Sequence, residues 1–274
     1  MTTRGMRAAA VAVAALLVWM TSSGCGQDTD SASGDTEADR VTVRVAAAAD
    51  LKFAWEEVET ELVRTHPDID LAVTYGSSGT FFQQLSNGAP FDVYLSADLS
   101  YPARLAEAGK ASADDVFGYA VGRLVVWAAN GSPVDATQGL ASLSGPGVNK
   151  VAIANPEHAP YGKAAVAAMQ AAGVYEAVKD KLVLGENVAQ AAEFTQSGNA
   201  QVGVFALSLA LSSQLGDKGN YAEVPLDIYP RIDQGGVIMG DARDPGAARR
   251  VRDFLLGDQG RAILERYGFS RAGA

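Results

Sequence analysis

The chain has 274 residues, one cysteine and two histidines, with 22 basic against 32 acidic side chains and a formal net charge of -10. At 48% hydrophobic residues it can bury a core, so disorder throughout is excluded, and the length suits one large or two modest domains. A single cysteine excludes an internal disulfide and a multi-cysteine metal cluster, and the acidic balance excludes a nucleic-acid partner, which calls for a basic face. Taken alone, the same acidity also argues against an anionic ligand.

Arg4 and Arg7 precede an apolar run from Ala8 to Met20, followed by small residues up to Cys25. This is the pattern of a secretory signal peptide over 1–24, with an apolar stretch too short for a comfortable membrane span. Ser22-Ser23-Gly24-Cys25 resembles a bacterial lipobox, except that Ser22 stands where Leu, Val or Ile is usual. Cys25 is therefore expected to carry a lipid anchor; a soluble secreted protein with a free thiol is the plainer alternative. Residues 25–40 are polar and acidic and suit a flexible tether. Residues 1–24 hold two arginines and no acid, so without them the balance is 20 basic against 32 acidic.

Strands and helices alternate beyond the tether. Val41–Val45 predicts a strand, and Asp50 is placed to cap the helix that follows, on which Leu51, Trp55, Val58 and Leu62 share one face. Ile69–Tyr75 is a second strand, Gly76–Thr80 a turn opening a helix to Asn87, Phe91–Leu95 a third strand and Pro102–Ala108 a short helix. Leu124–Ala128 and Val151–Ala154 predict strands, and 162–172 and 188–197 helices. Val202–Ala206 and Gly236–Met239 are further strands, and Pro245–Tyr267 is one helix or two broken near Gly257. This order predicts an α/β protein with mainly parallel sheets flanked by helices, which bind ligands at the carboxyl ends of strands.

Three strand-to-helix junctions are rich in small or hydroxyl residues: Ala46–Asp50, Gly76–Thr80 and Gly185–Val188. Helix starts present unpaired N–H groups and attract anions, and Ser77, Ser78 and Thr80 add hydroxyls. An ordinary N-cap is the plainer explanation of Gly-Ser-Ser-Gly-Thr, and the two roles are not exclusive. A serine hydrolase using Ser77 or Ser78 fits less well, because a nucleophile elbow needs Gly-x-Ser-x-Gly and Gly76–Gly79 is one residue short. His66 and His158 are expected to be exposed or loop histidines, and Asp92 and Asp98 turn and cap residues.

The segments Val45–Ala54, Gly76–Thr80, Gly88–Asp98, Ala154–Gly162, Glu186–Val188 and Arg266–Phe269, in this order, resemble the periplasmic molybdate-binding proteins of ABC importers over about Val41 to Phe269. The resemblance implies a two-lobed type II periplasmic-binding-protein fold with the ligand in the cleft. One lobe would be 41–121 plus 234–274 and the other 122–233. It implies an oxyanion site at Ala49, Asp50, Ser77, Ser78, Tyr161 and Val188, with Ser78 donating its hydroxyl and N–H, and Tyr161 and Val188 their N–H groups. Molybdate or tungstate would be the ligand, held through its oxygens with no direct metal ligand and no cofactor. The protein would be a monomeric, extracytoplasmic lipoprotein that hands its ligand to an ABC permease and catalyses nothing.

Two positions depart from the family pattern. Ala49 stands where a Ser is frequent, and Ala206 where some relatives place a Tyr; Thr80 or Tyr161 are candidates to compensate. Asp50 matters for the ligand. A carboxylate facing the cleft would repel a fully deprotonated anion and favour a protonated phosphate, so the expectation is that Asp50 caps its helix away from the ligand. Sulfate or phosphate binding, a secreted hydrolase, and an interaction protein that kept the fold but lost the ligand are the alternatives.

Overall fold

The computed structural model describes residues 40–273, so the expected signal peptide, Cys25 and the tether up to residue 39 lie outside the described residues. β1 (Val41–Ala48) runs through a 3-10 turn, Ala49–Leu51, into α1 (Lys52–Thr65). β2 (Ile69–Gly76), α2 (Ser78–Ser86), β3 (Val93–Ser96), α3 (Ser100–Glu107) and β4 (Val116–Gly122) follow. Then come β5 (Leu124–Ala129), β6 (Val151–Ala154), α4 (Pro160–Ala171), α5 (Tyr175–Val178), β7 (Leu182–Gly185), α6 (Val188–Gln196), β8 (Val202–Ala206), α7 (Leu207–Ala210) and β9 (Gly219–Glu223). β10 (Ile232–Ile238), α8 (Pro245–Leu256), α9 (Asp258–Arg266) and the short β11 (Ser270–Arg271) complete the described chain.

The strands form two sheets, ordered β11-β4-β10-β3-β1-β2 and β7-β6-β8-β5-β9. The chain passes from the first to the second through Arg123 and returns between Glu223 and Ile232. Two α/β lobes result, but the sheets are mixed rather than mainly parallel. β1 pairs β2 and β3 in parallel, and β6 does the same with β7 and β8. β5 and β10, the first strands after each passage, run antiparallel to their neighbours. β4 and β5 are joined by a single residue but lie in different sheets, so the chain enters the second sheet at β5 without a helical crossover.

Leu51, Trp55, Val58 and Leu62 are fully buried, and the face they form packs against β1 together with Val251 and Leu264. Burying each such side chain contributes about 1.5–3 kcal/mol. The expected break at Gly257 separates α8 from α9. β4, β7 and β9, which the sequence pattern did not reveal, complete the sheets.

Asp92 was expected in a turn or cap, and it does more. It is 1% exposed and accepts bonds from Arg44 Nε at 2.9 Å and Nη2 at 2.7 Å, and from the N–H groups of Arg44 at 2.8 Å and Arg243 at 2.9 Å. Burial alone would raise its pKa, but these donors hold it below the usual carboxylate value. Asp92→Ala is expected to cost about 3 kcal/mol in urea unfolding, because it strands a largely buried guanidinium. Removing the exposed Arg40–Asp70 pair by Arg40→Ala should cost no more than about 0.5 kcal/mol.

Candidate functional site

Four chain segments meet where strands of both sheets end. The 3-10 turn at Ala49 follows β1, α2 starts after β2, α4 after β6 and α6 after β7. Ala49, Asp50, Ser77, Ser78, Tyr161 and Val188 together line one cavity of about 10 Å³, with Ala48, Gly76, Ala97, Ala159 and Pro160 filling the gaps. A space of that size is about that of one water molecule, too small for a sugar or a peptide. A larger groove of about 500 Å³ shares Ala97 and Pro160 with it, but its charged residues, Asp98, Lys163, Arg231 and Asp233, are of both signs. The small cavity collects the starts of α2, α4 and α6.

The donors follow from local sequence. Val188 opens α6 behind Asn187, whose side chain accepts from Gln190 N–H at 3.1 Å and so caps the helix. Pro160 occupies the first turn of α4, where its missing N–H costs nothing, and Tyr161 carries the next amide. The Ser78 Oγ accepts from Ala97 N–H at 2.9 Å, which leaves its own O–H to donate. Small residues at the rims let the backbones approach. A Cβ on Gly79 would sit 2.5 Å from the His158 carbonyl, so the α2 start needs glycine there.

The Ser77 hydroxyl is spent elsewhere. It donates to the His158 carbonyl at 2.7 Å, which also accepts from Gly79 N–H at 2.9 Å. Ser77 does not cap α2 with its side chain. His158 is thus no idle loop histidine: its Nδ1 lies 3.0 Å from Ser77 Oγ, and its Nε2 lies 3.7 Å from Glu186. Because the Ser77 proton goes to a carbonyl, this contact binds the lobes together rather than activating a nucleophile. Thr80, a candidate to compensate for Ala49, sits 3.5 Å from the same imidazole and does not line the cavity. Ala206 is buried at the end of β8 and does not line it either.

The expected Asp50 cap is overturned. Asp50 lies inside the 3-10 turn, α1 begins two residues later, and neither start has a side-chain cap. Its carboxyl turns into the cavity wall, 1% exposed. Oδ2 accepts from Gln234 Nε2 at 2.6 Å, while Oδ1 has no partner. Gln234 also donates to the Tyr161 hydroxyl at 3.2 Å and accepts from the Tyr119 hydroxyl at 2.8 Å. The Tyr161 hydroxyl faces the Asp50 carboxyl and eases its ionisation, without a hydrogen bond of ordinary geometry between them. Gln234 and Tyr119 were missed from sequence. The signal was a lone amide in the glycine-rich strand Ile232–Ile238, where a register shift after Gln234 bends β10.

Burial raises the Asp50 pKa from 3.8 to about 6, against the lowering effect of Gln234 and Tyr161. Among the described residues no group of three or more His, Cys, Asp or Glu is placed to hold a metal ion.

Two α/β lobes, a cavity for one small group at the carboxyl ends of strands, and helix starts aimed into it form a solute-binding protein. The chain belongs to the family of bacterial extracellular solute-binding proteins, whose pattern matches residues 43–270. It is 41% identical over 199 residues to the molybdate-binding protein ModA of Rhodobacter capsulatus, covering 72% of this chain and 77% of that one. It is 37% identical over 227 residues to ModA of Azotobacter vinelandii, covering 83% and 89%. The solved Azotobacter vinelandii periplasmic molybdate-binding protein superposes with a TM-score of 0.78 at 28% identity, over 84% of this chain and 99% of that one.

A raised carboxyl pKa stabilises the folded state below the unfolded value and is lost as pH rises through the folded one. Ionising Asp50 in the ligand-free protein therefore costs about 3 kcal/mol between pH 4 and pH 7.5. Asp50→Asn should raise the Tm at pH 7.5 by several degrees and leave it nearly unchanged at pH 4; thermal melts at the two pH values check this.

Proposed function

We propose that the protein captures molybdate, with tungstate as its close analogue, outside the cytoplasm and delivers it to an ABC import permease. One observation carries this reading: Ser78 O–H and the first amides of several helix starts converge on a cavity lined by no Lys, Arg or His. Such a site holds an anion by dipoles alone. The similarity to molybdate-binding proteins over most of the chain selects the anion. Sulfate has the same charge and accepting pattern, so cavity size is what separates the two. The ligand leaves unchanged, and no bond of it is broken. Cys25 tethers the monomeric protein to the cell membrane through its lipid.

Calorimetric titration with molybdate, tungstate, sulfate and phosphate tests this. Molybdate binding without sulfate binding is the expected result. Sulfate or phosphate binding alone would replace the ligand, no binding at all would leave an interaction protein, and ester turnover lost in Ser78→Ala would demand a hydrolase. Ser78→Ala should weaken molybdate binding roughly 10- to 100-fold, the value of one hydrogen bond to a charged group. An unchanged affinity removes Ser78 from the site.

A further inference from the structure

The carboxyl of Asp50 is the one feature of the cavity that an anion site does not ask for. Its orientation is fixed by its neighbours. The Tyr119 hydroxyl donates to Gln234 Oε1 at 2.8 Å, with the Ser96 carbonyl a second acceptor at 3.2 Å, and the amide presents its Nε2 to Asp50 Oδ2. Oδ2 is therefore an acceptor already in use. A proton on this carboxyl sits on Oδ1, which is buried in the cavity wall and makes no hydrogen bond to the protein.

We propose that Asp50 enters the complex as a neutral carboxylic acid whose Oδ1–H donates to one oxygen of the bound anion, so that each anion captured brings one proton into the cleft. This rests on the oxyanion reading above and adds the donor that Ala49 lacks. A carboxylate and a dianion side by side would repel each other with no cation lining the cavity to offset them. Protonation removes that charge and turns an acceptor into a donor. In the ligand-free protein the carboxyl titrates near pH 6, so at neutral pH it is mostly ionised and the proton comes from solvent as the anion binds. The anion raises the pKa further.

Other groups around Asp50 do not supply this proton. The influences on its carboxyl are burial, Gln234 on β10, Tyr161 on α4 and the N–H groups of Asp50 and Leu51, none of them charged. Burial drives the Tyr119 and Tyr161 phenols far above the physiological range, so both stay protonated. Ser208 on α7 donates to the Asp50 carbonyl at 2.7 Å. Lys52 on α1 and Glu193 on α6 pair with each other at 3.6 Å, Asp233 on β10 pairs with Arg231 at 2.9 Å, and Lys163 on α4 donates to the Tyr101 hydroxyl at 3.3 Å. His158 is bound to Ser77 and does not line the cavity.

The test is calorimetric titration of the full-length protein with molybdate between about pH 6 and pH 8.5, at each pH in two buffers of different ionisation enthalpy. The expected result is uptake of close to one proton per anion at pH 7.5, with Kd rising up to about tenfold per pH unit above pH 6. Asp50→Asn keeps an oxygen for Gln234 and offers an N–H where the acid offers its O–H. It should bind molybdate with a pH-independent Kd, no proton uptake, and at pH 8 an affinity equal to or tighter than that of the parent. Zero uptake and a flat Kd in the parent protein overturn the proposal, whether or not the variant folds. A pH dependence that survives in Asp50→Asn also overturns it and moves the proton to another group such as His158. Phosphate bound in preference to molybdate, and lost in Asp50→Asn, overturns it in favour of a carboxylate that accepts from a protonated anion. Molybdate binding by neither protein at any pH overturns the oxyanion reading itself.

Discussion

The cavity between the two sheets is lined by no cationic side chain, so negative charge held there has to be compensated by N–H and O–H dipoles. Dipoles act at short range, and several of them have to reach one small volume at once. The fold meets this through its parallel strand pairs. β1 and β2 end side by side in one sheet, β6 and β7 in the other, and each of these ends leads to a turn or helix start that lines the same cavity. Side chains at the rim have to be small for the backbones to come close, which is why Ala48, Ala49, Gly76, Ala97 and Ala159 stand there. Gly79 and Gly162 serve the same purpose one step further out, where a Cβ would strike the His158 and Ala154 carbonyls respectively.

Contacts across the cleft use the same segments. The His158 carbonyl is gripped by Ser77 O–H and Gly79 N–H, and Ser208 holds the Asp50 carbonyl. The two strands that carry the passages between sheets contribute as well. Tyr119 on β4 and Gln234 on β10 bond to each other, and through Gln234 to Asp50 and Tyr161. The site and the passages are therefore one hydrogen-bonded unit. Gly122, the last residue of β4, has no space for a Cβ because the Tyr161 hydroxyl occupies it.

Much of this was legible in the sequence because local rules governed it. The spacing of Leu51, Trp55, Val58 and Leu62 gave the buried face of α1, and the Gly- and Ser-rich junctions marked the helix starts. The resemblance then named residues that do line one cavity. What stayed hidden depends on distant parts of the chain. Asp50 before a helical pattern has the signature of a cap, and a partner 184 residues away decides that it is not. His158 is the turn residue its sequence suggests, but its contact with the start of α2 in the other lobe is not visible locally. β10 extends back over Gln234 because Ile232, Asp233 and Gln234 pair with β4, a fact that no local pattern encodes.

The acidity of the chain, which argued against an anion, loses its force once the site is seen to depend on dipoles rather than on net charge. The central claim is that neutral donors from both lobes hold a small oxyanion at the convergent helix starts. A crystal structure of the molybdate complex tests it most directly. The account predicts the anion in the small cavity, its oxygens contacted by Ser78 Oγ and by the amides of Ala49, Tyr161 and Val188, with no Lys or Arg in contact. An anion bound in the larger groove against Lys163 or Arg231 would contradict it.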